Sequence, residues 1–102
     1  SKNFSGDQRV YDHDSEAYQI VKYLADEKAR DNPGRAQPTE TEMQKQAAAL
    51  NELHEQNGVA WDTIDEVLFQ SLSHKYWRRK VQSAFDLKKN FNEILADLSE
   101  GG

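Results

Sequence analysis

Three histidines are the residues best suited to chemistry in this 102-residue chain, and their spacing offers none. His13, His54 and His74 lie far apart and share no metal-ligand interval. No HExxH helix, glycine-rich phosphate loop or nucleophile elbow is present. Asp12-His13-Asp14 has ligand-type residues, but neighbouring side chains diverge, and the run reads better as the approach to a helix. His54 falls on an apolar helical stripe and reads as a core-edge residue. The acids are scattered along helix faces. With no catalytic constellation, the chain reads as a non-enzyme without cofactor or metal.

The chemistry that does stand out is electrostatic. Residues 74–91, HKYWRRKVQSAFDLKKNF, hold six of the thirteen Lys and Arg and one acid, Asp86. The segment is therefore +5 in a chain of net −5, and the remainder is −10. Lys75, Arg78, Arg79, Lys80, Lys88 and Lys89 are candidate contacts to a phosphate backbone. Tyr76 joins them as a base-stacking candidate. Trp77 reads instead as a core ring plugging a gap between helix ends. Lys88 and Lys89 sit near a helix start, where the dipole disfavours cations, so a partner explains them better than helix stability does. The other reading of the patch is pairing with acidic groups, either on the chain's own first two helices or on a partner protein.

These residues need elements to position them. Asp14-Ser15 and Glu16 open a first helix with Ala17, Val21, Leu24 and Lys28 on one face, ended by Asn32-Pro33-Gly34. Thr39 and Glu42 have capping-box spacing before the stripe Met43, Ala47, Leu50 and His54, and Asn57-Gly58 stops that helix. A third helix follows Trp61, with Asp62 as N-cap and Ile64, Val67, Leu68, Ser71 and Leu72 at helical spacing. Arg78-Arg79-Lys80 then fall in a connector free to reach outward. A fourth helix starts at Ser83, with Asp86 completing a second capping box and Leu87, Phe91, Ile94, Leu95 and Leu98 as its stripe. Its first amides would add to an anion site. Phe69 lies off the stripe of the third helix, as a docking anchor or buried under the N-terminal arm.

The pattern predicts an all-α fold: a compact bundle of about four helices with short loops. Residues 1–13 read as a flexible N-terminal linker or arm, with Val10 and Tyr11 able to dock, and residues 14–100 as a single helical domain. There are no cysteines, which excludes disulfides and thiolate metal sites. No apolar run is long enough to span a bilayer, so no membrane role is expected. The start at Ser1 suggests a piece of a longer protein.

The order of these features resembles the C-terminal domain of DnaD-like phage replication proteins, the replisome organisers. The similarity lies in Tyr76-Trp77, the basic linker, Ser83 and the helix bearing Leu87 and Phe91. It extends to Tyr11 through Ser15 with Tyr18, the Asn32-Pro33 stop, and Trp61 through Leu72, about residues 10–98 in all. Where that family has Ser-Pro, Leu-Arg and Lys-Phe, this chain has Ser83-Ala84, Leu87-Lys88 and Asn90-Phe91. The Tyr-x-x-x-Ile-x-x-x-Trp motif of bacterial DnaD proteins is not found. The resemblance implies a role in starting phage or prophage DNA replication in the cytoplasm of a bacterial host. It implies weak binding of single- or double-stranded DNA, recruitment of a helicase loader or replicative helicase to a primosome, or both. The alternative is a protein-interaction module without direct DNA contact.

Overall fold

The computed structural model describes residues 10–101. It is all-helical in these residues, with six helices in place of the four expected: α1 Glu16–Asp31, α2 Glu40–Gln56, α3 Trp61–Ser73, α4 Lys75–Lys80, α5 Ala84–Lys89 and α6 Phe91–Gly101.

The first two helices begin as the caps dictate. The Ser15 hydroxyl accepts the Tyr18 amide at 3.3 Å. Thr39 and Glu42 form the full capping box, each side chain holding the other residue's amide. Gly58 closes α2 with φ +71, the left-handed conformation that glycine adopts without a Cβ penalty. The third helix is capped two residues earlier than expected: Ala60 is the N-cap, and Asp62 falls inside the first turn.

Two departures produce the extra helices. The expected connector is helical over Lys75–Lys80, because turning the chain there drives the Trp77 ring inward, where 2% of it remains exposed. The indole N–H reaches Asp97 Oδ2 at 2.9 Å, so its polar end is satisfied. The expected fourth helix breaks at Asn90 (φ −103, ψ 11). There the Asn90 side-chain amide joins the Asn90 backbone N–H on the Asp86 carbonyl, at 2.9 and 3.0 Å. The break serves packing, since α5 lies against α2 while α6 lies against α3. One straight helix does not follow both.

The second predicted capping box is also replaced. Ser83 makes no side-chain cap. Asp86 accepts the Gln82 amide at 3.0 Å, and Gln46 reaches over from α2 to accept the Ala84 amide at 2.8 Å.

One core joins all six helices. It contains Val21 and Leu24 from α1, Leu50 and Leu53 from α2, Ile64 and Leu68 from α3, Trp77 from α4, Leu87 from α5, and Phe91 and Ile94 from α6. Leu95, expected in the same stripe, is instead 36% exposed. Of the expected arm, Tyr11 docks through two hydrogen bonds with the Gln44 side chain, while Val10 is exposed. Residues 1–9 lie outside the described part.

A candidate nucleic-acid interface

The basic segment is divided by the fold into groups of different kinds. Arg78 is committed to the interior framework. Its Nε and Nη2 hold the Asp31 carboxylate at 2.7–3.1 Å, and Nη2 also reaches Glu27 at 3.2 Å. Its Nη1 donates to the Leu72 carbonyl at 2.8 Å, in the last turn of α3. The hydrogen bonds of Asp31 raise the pKa of the guanidinium, and in return hold the Asp31 carboxyl below its ordinary value. Beneath this cluster Lys28, 2% exposed, donates to the Arg78 backbone carbonyl. That carbonyl belongs to the last turn of α4, which has no intrahelical donor for it. Burial lowers the Lys28 pKa, and Asp31 at 3.8 Å opposes that shift.

Lys88 is likewise paired, with Glu52 of α2. Pairing with the acidic first two helices is thus realised at two positions, Arg78 and Lys88. Arg78, expected free to reach outward from a connector, is held by α1 and α3.

The remaining cations form no ion pair among the described residues. Lys75, Arg79 and Lys80 are exposed on α4, around a shallow cleft they line with His74 and Tyr76. Lys75 and Arg79 are one helical turn apart, as are Tyr76 and Lys80, so the four side chains tile one surface. Tyr76 is 54% exposed. Its ring stands edge-on to Trp77 at 4.8 Å, and the Lys80 ammonium lies 6.0 Å from its centroid.

Lys89 is exposed elsewhere, on a cleft at the α2–α5 seam lined by Lys45, Ala48, Ala49, Glu52, Phe85 and Lys88. This cleft shares no residue with the one on α4. Lys45 and the 47% exposed Phe85 line this cleft without a sequence motif that marks them. Phe85 follows the expected capping position directly, which hides it among helix-start signals. At the anion site expected at the start of the fourth helix, one amide is already taken, since Gln46 accepts the Ala84 N–H.

The histidines stay apart. His13 stacks on Tyr18 at 4.2 Å and its Nε2 lies 3.1 Å from Glu40. His54 stacks on Trp61 at 4.4 Å, and its Nδ1 donates to the Val59 carbonyl at 2.7 Å. Among the described residues no group of three or more His, Cys, Asp or Glu is placed to hold a metal. No helix among the described residues is long and apolar enough to cross a membrane.

No curated protein and no solved structure matches the chain. A family model does, over residues 19–101, a span that takes in all of α2 to α6 and most of α1. Its description names the replication role that the sequence resemblance implied, without specifying a DnaD-like protein. The chain belongs to the family of the phage replication protein O C-terminal domain.

Proposed function

We propose that this domain is a non-catalytic module of replication initiation that contacts DNA through the outer face of α4. The observation that carries the reading is the grouping of Lys75, Arg79 and Lys80, unpaired and exposed, around the half-exposed Tyr76. Cations without protein partners keep their charge available to phosphate, and a phenol among them offers a stacking face to an unpaired base. Arg78 contributes by rigidity, holding α4 to α1 and α3. Lys88 and Lys89 belong to a separate cleft, where Lys89 offers an outlying phosphate contact.

The test is fluorescence anisotropy with labelled single- and double-stranded oligonucleotides at two salt concentrations. The double variant Arg79→Glu with Lys80→Glu is expected to lose binding by at least about tenfold while its circular dichroism stays helical. Unchanged affinity in that folded variant would remove α4 from DNA contact. A second reading is supported by the net charge of −5, which repels DNA from most directions. In it the domain recruits a helicase loader or replicative helicase without touching DNA. Absence of oligonucleotide binding at low salt, with recovery of either protein in a pull-down, would favour that reading.

A further inference from the structure

We infer that the groove between α3 and α6 is a docking site for a basic amphipathic helix supplied by a partner protein. Its apolar floor is formed by Val67, Leu95 and Leu98, and its rims by Asp62 and Glu66 on one side and Asp97 on the other. No lysine or arginine lines it. Leu95 is the informative residue. It sits beside the buried Ile94 on a helix whose other large apolar groups face the core, yet it opens into this groove. The half-buried Leu98 supplies further apolar surface behind it, over the buried Val67.

The chemistry of the occupant follows from the lining. An apolar floor between carboxylates accepts a helix with an apolar stripe flanked by Lys or Arg, and repels the acidic counterpart. The α3 rim runs from Asp62 to His74, about 18 Å at the helical rise, which is roughly three turns of a docked helix. A second copy of this chain fits poorly. Its exposed basic helix, α4, has six residues and offers one exposed aromatic side chain, Tyr76, to a floor of three apolar groups. The site is separate from the proposed DNA face but adjoins it at His74, which lines both clefts. A partner docked here would sit beside the strand held by α4.

The experiment uses the full chain and three synthetic helical peptides of equal length, followed by isothermal titration calorimetry. The first has a leucine stripe flanked by lysines, the second the same stripe flanked by glutamates, and the third the composition of the first with the stripe scrambled. The first peptide is expected to bind at least about tenfold more tightly than either of the others. Leu95→Glu and Glu66→Lys, both at exposed positions, should each weaken it about tenfold or more without loss of helicity. Arg79→Glu with Lys80→Glu should leave it unchanged. Oligonucleotide binding should respond in the opposite pattern, so failure of this site is distinguishable from failure of the α4 reading. The inference is overturned if the scrambled or acidic peptide binds equally well, if none binds, or if the groove variants bind as the parent does. It is equally overturned if sedimentation shows self-association that Leu95→Glu abolishes, which would make the occupant a second copy.

Discussion

At the scale of single residues, neighbouring arginines have opposite duties. Arg78 makes hydrogen bonds to Asp31, Glu27 and the Leu72 carbonyl, whereas Arg79 pairs with no acid among the described residues. Arg78→Ala leaves the buried Lys28 and the last turns of α3 and α4 without their clamp. It is expected to cost about 1–3 kcal/mol in urea unfolding, because charged hydrogen bonds are lost and partners are left unsatisfied. Arg79→Ala should stay within about 0.5 kcal/mol of the parent. Equal stability of the two variants would refute the division of labour. Glu40 provides a second residue-scale prediction. Hydrogen bonds from the Gln44 amide, the Tyr18 hydroxyl and His13 lower its pKa from 4.5 to about 2. A carboxylate with a depressed folded pKa stabilises the fold above its unfolded value and loses that contribution as pH falls through the folded one. Thermal midpoints should therefore show the parent ahead of Glu40→Gln at pH 6. The gap should narrow as pH falls from about 4.5 toward about 2. A gap independent of pH would mean that the carboxylate charge is not what the cluster uses.

At the scale of elements, two helices of six residues are too short to form alone, and tertiary bonds hold them. The fourth is held by the buried Trp77 ring and by Lys28 on its carbonyl end. The fifth is started by a cap that arrives from another helix, with Gln46 on the Ala84 amide. Gln46→Ala should cost about 1 kcal/mol, in the range of a lost N-cap, although residue 46 lies far from α5 in sequence. Ser83→Ala, at the nominal cap, should cost less in the same melts. The reverse ranking would restore the cap that the local sequence suggests. The end of α2 turns at Gly58. A Cβ there would meet nothing within 4 Å, so Gly58→Ala tests backbone strain without a clash. A loss of about 1 kcal/mol is expected from the left-handed φ of +71, and no loss would show that the turn relaxes.

At the scale of the whole molecule, charge is sorted by the fold rather than neutralised by it. Half of the highlighted segment's arginines are consumed by α1, Lys88 is consumed by α2, and Lys75, Arg79 and Lys80 are left facing outward. Three available cations on α4, with Lys89 as an outlying fourth contact, set the size of the salt effect. The logarithm of DNA affinity should fall against the logarithm of salt with a slope of about −2 to −4, since each phosphate contact contributes about −0.7 to −0.9. A slope near about −5 or steeper would mean that Arg78 or Lys88 also meets phosphate. The acidic α3–α6 groove lies beside the basic face, so the surface is polarised over a short distance, and the two faces select partners of opposite charge.

The sequence by itself determined the helical class, the first two helices with their caps, the buried place of Trp77 and the stop at Gly58. Each of these rests on interactions within a few residues, such as the Thr39–Glu42 box, or on a 3.6-residue apolar period. It also located the concentration of positive charge, because net charge along a segment needs no coordinates. Only the tertiary structure decided which charges are free. Arg78 and Arg79 are adjacent and alike in sequence, and they differ because Glu27 and Asp31 of α1 arrive beside one of them. The break at Asn90 was equally hidden, since the stripe from Leu87 to Leu98 reads as one helix. The break answers to two different neighbours, α2 for α5 and α3 for α6. Leu95 fits that stripe as well as Ile94 does, and only the course of α6 past α3 leaves one in the core and the other in a groove.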